Sequence, residues 1–221
     1  MASAIPRGFV RTAPSRAKKI PVDIRVTDMK AADALWWDAR LGPYHAQLAT
    51  RADRWWSWSA LLPMAHLVQL AQRRFCRALV TWVRADNGQF VRAGMSILIQ
   101  HYPYLDFRTP DDSHFMWFMS AAEADVLRRN FGVSDPPSLG RVLLDNAIVL
   151  SQNAGLSGRI GLHAAAAGGP GLLAFYVKCG LLNLPSAAPL PAAVRRQNDG
   201  RFFYADDVVA AALATALDPN R

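Results

Sequence analysis

Gly158 to Leu182 reads GRIGLHAAAAGGPGLLAFYVKCGLL, and this stretch decides the fold. Arg159, Ile160, Gly161, Leu162 and His163 alternate with the period of a strand. After Gly168, Gly169, Pro170 and Gly171 the apolar positions of LLAFYVKCGL recur with the period of a helix. Pro170 and Gly171 stand where a helix begins and Gly180 where one stops, the usual asymmetry of proline at the start and glycine past the end. The stretch reads as strand, open loop and helix.

Working outward, Pro21 to Thr27 (PVDIRVT) alternates as a first strand, and Met29–Leu48 and Asp53–Phe75 read as helices. Five of the seven tryptophans, Trp36, Trp37, Trp55, Trp56 and Trp58, fall in this helical pair. They either pack on a sheet or wall a pocket, since Trp offers flat apolar area with a polar N–H. Arg77–Arg84 and Gln89–Gln100 form a hairpin around Ala85, Asp86, Asn87 and Gly88, where Asn-Gly supplies the positive φ of a tight turn. A fourth strand follows at Ser113–Ser120. Ser120 and Glu123 have capping-box spacing for a short helix ending at Gly132. Asp135 is the expected N-cap of a helix over Ser138–Ala154, with Pro136 near its first position. Leu181–Leu184 and Arg201–Tyr204 read as a closing antiparallel pair before a helix from Asp207 to Leu217.

Composition narrows the class. The chain has 221 residues, 52% of them hydrophobic, which suits one domain with a sizeable core. No apolar run reaches the roughly 20 residues of a membrane helix, and no apolar segment follows the basic N-terminus as in a secretory signal. The expectation is a cytoplasmic protein without a membrane role. Two cysteines, Cys76 and Cys179, are too few for a disulfide framework, and the five histidines lack metal-site spacing. No metal is expected. Up to Lys30 seven bases (Arg7, Arg11, Arg16, Lys18, Lys19, Arg25, Lys30) face Asp23 and Asp28, so five of the formal charge of +8 lie there. Residues 1–20 read as a basic flexible arm, either solvated or a nucleic-acid contact, and residues 21–221 as one domain. Glu123 is the only glutamate.

The order of elements and the string Ala174-Phe175-Tyr176-x-Lys178-x-Gly180 resemble the GNAT acetyltransferase superfamily. The resemblance covers about Pro21 to Tyr204 and is most specific in the final third. It implies an α/β (α+β) fold, with a mixed, mostly antiparallel central sheet flanked by helices and splayed between its fourth and fifth strands. It also implies acetyl-CoA as co-substrate, and Tyr176 as the acid that protonates the departing thiolate. The coenzyme would lie along Phe118, Met119 and Ser120 of the fourth strand and meet Ser138, Leu139, Gly140 and Arg141 at the next helix, with Phe175 beside it. The family's phosphate loop has the form Q/R-x-x-G-x-G/A at that helix, where amides and the helix dipole favour an anion. Here it is Asp135-Pro136-Pro137-Ser138-Leu139-Gly140, in which the two prolines remove two N–H donors. Arg128, Arg129 and Arg141 could supply phosphate contacts through side chains instead. A base must also take the proton of the attacking amine. His114, at the start of the fourth strand, and Glu123, past its end, are the candidates.

Three classes of function stand open on these residues. The first is direct acetyl transfer from acetyl-CoA to an amine, whether small molecule, peptide or aminoacyl-tRNA. The second is a catalytically inactive binding or regulatory module of the same fold. The third is an RNA-directed protein working through the basic arm. A second copy of the chain, giving a homodimer, is a further expected partner.

Overall fold

In the computed structural model, which describes residues 8–15, 21–72, 75–106, 111–191, 194 and 197–217, the strands form one sheet flanked by helices on both faces. In chain order the elements are β1 (Gly8–Pro14), β2 (Pro21–Asp28), α1 (Ala31–Arg40), α2 (Gly42–Ala46), α3 (Trp58–Gln72), β3 (Cys76–Arg84), β4 (Phe90–Pro103) and β5 (Asp112–Ala121). Then come α4 (Ala124–Phe131), α5 (Leu139–Asn153), β6 (Ile160–His163), α6 (Gly169–Lys178), β7 (Leu182–Asn183), β8 (Phe202–Ala205) and α7 (Asp207–Leu217). The strands lie in the order β1-β2-β3-β4-β5-β6-β8-β7, and every neighbour pair is antiparallel except β5 and β6. Counted from β2, this is the GNAT-like arrangement that the sequence resemblance implies.

Local chemistry explains the parts that matched. Ala85 N donates to Gln89 O and Gly88 N to Ala85 O, and the positive φ that closes the β3–β4 hairpin comes from Gly88 alone, at +82, and not from Asn87. Pro170 sits at the start of α6, and Gly180 follows its end at φ +86.

Four expectations are corrected. Within the arm, Gly8–Pro14 pairs along its length with β2, so the sheet begins before residue 21; residues 1–7 and 16–20 lie outside the described ones. The helix read from Asp53 starts at Trp58, because the Asp38 carboxylate of α1 accepts from the backbone N–H groups of Trp58 (2.7 Å) and Ser59 (2.9 Å) and caps it across the helix pair. Ser138, not Asp135, is the N-cap of α5. A residue before proline is pushed out of the helical region, so Asp135 and Pro136 stay outside the helix, and Pro137 forms a bridge with Ser15. Ser120 and Glu123 make no capping box: Ser120 is still in β5, and Glu123 is the N-cap of α4 without a side-chain cap bond.

Successive residues of β3 look opposite ways. Thr81 Oγ1 accepts from Asn146 Nδ2 of α5 at 3.0 Å. Trp82 lies under the guanidinium of Arg92, which is paired with Asp33 of α1. The layer of α1 to α3 therefore covers one face and α5 the other. This double cover is why eight consecutive residues of β4, Ala93 to Gln100, are buried.

One irregularity shapes the functional region. β5 pairs with β6 at His114, Phe115 and Met116 only, opposite Ile160, Gly161 and Leu162. Against β4 the register slips between Met116 and Phe118, leaving Trp117 as a bulged residue. A bulge bends its strand and strengthens the local twist. From Trp117 onward the two strands part, as expected for strands 4 and 5 of the sequence reading.

Candidate active site

The parting of β5 and β6 opens a cavity of about 1680 Å³. That exceeds the roughly 300–1,000 Å³ of a pocket for one small ligand, and leaves room for two substrates. Its walls are the second half of β5, the start of α5, the loop and first turns of α6, the α2–α3 connection and part of α3.

Most of the residues singled out in the sequence converge here. Tyr176, Glu123, Phe118, Met119, Ser138, Leu139, Gly140 and Phe175 all line the cavity. Tyr176 is 6% exposed, and its ring packs on Phe175 and Phe203 at 5.3 Å. Burial raises its phenol above the ordinary value, and the nearby Cys179 thiol and Asp53 carboxylate push the same way. The hydroxyl thus keeps its proton at neutral pH.

Ser120 stands one layer back, donating its hydroxyl to the Asp53 carboxylate. Arg141 is turned away from the cavity: Nη2 donates to the Lys178 carbonyl at 3.3 Å, at the C-terminal end of α6. Arg128 is exposed and paired with Asp125 in its own helix.

His114 is not at the site. It is fully buried on the α5 face, with its ring near the Ala147 backbone and neither ring nitrogen completing a hydrogen bond of normal geometry. Burial lowers its pKa to about 4, with His101 and then Arg77 adding to the shift. Regular alternation would set His114, Met116, Phe118 and Ser120 on one face. The bulge at Trp117 breaks that alternation, so Phe118 meets Trp56 of the α2–α3 connection, edge to face at 4.9 Å.

The structure adds groups that the sequence did not single out. Arg51 Nε and Nη2 hold the two Asp53 oxygens at 2.7 and 2.6 Å, Nη1 binds Glu123, and Nη2 also donates to the Ala121 carbonyl at 2.8 Å. This ties the α2–α3 connection to the end of β5. Asp53 is buried, which raises a carboxyl, yet the Arg51 and Ser120 hydrogen bonds outweigh burial and hold it below the ordinary carboxylate value. His45 Nδ1 lies 3.6 Å from Asp53, and burial, then Arg51, lower its pKa to about 4. His163, the last residue of β6, lines the cavity where the strands part. Its Nε2 lies 3.1 Å from both oxygens of Asp199, a carboxylate also held by the Arg201 N–H. Of the tryptophans, Trp56 and Trp117 wall the cavity, whereas Trp37 and Trp58 are core.

The residues present fit a coenzyme A arm in two places and crowd it in a third. Past Met116, the β5 edge facing β6 has no strand partner, which suits an extended amide-bearing chain. The first-turn N–H groups of α5 (Leu139, Gly140, Arg141) have no intrahelical acceptor, and Ser138 supplies no side-chain cap. Against this, a Cβ on Gly140 would lie 2.6 Å from Phe175 Cζ, so the aromatic ring takes part of the space beside those amides. No group of residues suited to a metal ion occurs among the described residues. No helix among them is long and apolar enough to cross a membrane.

No family model and no curated relative matches the chain. Among solved structures it is similar to a spermidine N-acetyltransferase from Vibrio cholerae crystallised with CoA and spermine, at 13% identity and TM-score 0.45, over 85% of this chain and 98% of the other. A GNAT-superfamily phosphinothricin acetyltransferase from Sinorhizobium meliloti, in complex with acetyl-CoA, is similar at 14% identity and TM-score 0.43, over 81% and 86%. A mutant AtaT toxin bound to the C-terminus of its antitoxin and to acetyl-CoA is similar at 13% identity and TM-score 0.40, over 70% and 82%.

Proposed function

We propose that the chain is an acetyl-CoA-dependent N-acetyltransferase that moves the acetyl group directly to an amine. The observation carrying this reading is the parting of β5 from β6 after Met116, which opens a cavity holding both the buried Tyr176 phenol and the amino end of α5. Acetyl-CoA supplies the activated acyl group when bound. Phe118 and Met119 line its arm, and the α5 amides meet its phosphates. Tyr176, protonated at neutral pH, donates its proton to the leaving sulfur. His163, steadied by Asp199 and Arg201, accepts the proton of the attacking amine, in the place that the sequence reading gave to His114. The Glu123 carboxylate is already engaged by Arg51. Cytoplasmic location, a homodimer and nucleic-acid contact by the basic arm remain parts of this proposal.

One observation favours a second reading. Phe175 against Gly140, together with Pro136 and Pro137, narrows the phosphate cradle, as a binding module that has given up its cofactor would. Calorimetry with acetyl-CoA separates the two: saturable binding supports the enzyme, and no heat at millimolar cofactor supports the module.

A further inference from the structure

The cavity is polar at one end and apolar at the other, and the sheet registers show how the apolar end is built. Ile99 faces Phe115, Phe115 faces Gly161, and His163 faces Phe202 across neighbouring strands. Gly161 and His163 are two apart on β6, so all these positions share one face, opposite that of His114. Val68 of α3 and Val194 of the β7–β8 connection complete this lobe. Phe202 packs tilted against the His163 ring, with centroids 4.6 Å apart. Among the described lining residues, the lobe's titratable side chains are His163 and Tyr102, and it holds no carboxylate. The cavity's two acidic side chains, Asp53 and Glu123, lie beyond the Trp117 bulge, and Arg51 binds both. A polycation would find no carboxylate lining the lobe, Asp199 being engaged behind His163, and beyond it a pair that shares one arginine and so keeps a single net negative charge.

We infer that the acceptor is a primary amine carried on an apolar body, aryl or branched alkyl, with the body among Val68, Ile99, Phe115, Val194 and Phe202 and the nitrogen at His163. The inference rests on the acetyltransferase reading and deepens it. In the transfer the amine nitrogen bonds to the acetyl carbon as the carbon–sulfur bond breaks. The amine proton passes to His163 and the Tyr176 proton to sulfur, and the two groups are reset through water. The products are the amide and the free thiol of coenzyme A.

The experiment uses the full chain with acetyl-CoA and measures free thiol released with 2-phenylethylamine, 3-methylbutylamine, glycinamide and spermidine. An apolar pocket discriminates by about 10-fold or more for each well-placed apolar group, so kcat/KM for the two apolar amines should exceed that for glycinamide and spermidine by at least about 10-fold. Val68→Asp, at a half-buried position, should reduce that preference about 10-fold or more with acetyl-CoA affinity unchanged by calorimetry. Val68→Phe, which fills the lobe without adding charge, should lower kcat/KM for 2-phenylethylamine and spare glycinamide. Spermidine turned over as well as 2-phenylethylamine, or a preference untouched by both variants, overturns this inference and leaves the acetyltransferase reading standing. Absence of acetyl-CoA binding overturns both.

Discussion

Replacing Tyr176 by Phe deletes one oxygen from a side chain whose hydroxyl makes no hydrogen bond among the described residues. Ring contacts to Phe175 and Phe203 survive, so stability should change by less than about 1 kcal/mol, the net worth of a single hydrogen bond. Chemistry should respond differently. A phenol carries its proton at neutral pH and can act as a general acid, a role that contributes typically 10²- to 10⁴-fold. At 1.36 kcal/mol per tenfold, this is about 2.7 to 5.4 kcal/mol of transition-state stabilisation. kcat should fall by that factor, while KM for acetyl-CoA and its calorimetric affinity stay within about twofold, because the proton moves only in the transition state. Thiol release at saturating acetyl-CoA measures the first and titration the second. A variant with wild-type kcat would refute the assignment of Tyr176 as the acid. A variant that loses affinity and kcat together would show the phenol acting in binding instead.

Arg51→Ala should destabilise the protein by about 3–5 kcal/mol in urea unfolding at pH 7, because Asp53 is left buried without its cation. The native Asp53 pKa is depressed, so its stabilisation is present above the unfolded value and is lost as pH falls through the folded one. The gap between variant and wild type should therefore narrow toward acid pH. His45 and His114 are lowered to about 4, so the native state binds fewer protons than the unfolded chain between about pH 6.5 and 4, and stability drops as pH falls through that window. His114→Leu should remove one share of that slope, on the order of 3 kcal/mol across the window, as read by thermal melts at stepped pH. Gly140→Ala should cost about 1–3 kcal/mol by pressing on Phe175, and Phe175→Ala in the same chain should return part of it, a positive coupling in a double-mutant cycle.

What could be read from the sequence was local. Asn87-Gly88, Pro170 and Gly180 act within one turn, and the change of period around Gly168 needs no knowledge of the rest of the chain. Tyr176 and Gly140 were singled out through the resemblance of short local strings, and both line the cavity. Asp53 and Arg51 were not legible, nor was the pairing of Glu123, which the sequence had singled out: Arg51 is 72 positions away, and only the return of the α2–α3 connection to β5 joins them. The same holds for His163 and Asp199, 36 apart. The error over His114 has a different origin. Alternation along Ser113–Ser120 points that ring toward the face of Ser120, and one extra residue at Trp117 reverses the facing. That same residue bends β5 away from β6, so the feature that turns His114 out of the cavity is the one that opens it. An irregularity of this kind is set by what must fit between the strands, and no local propensity encodes it.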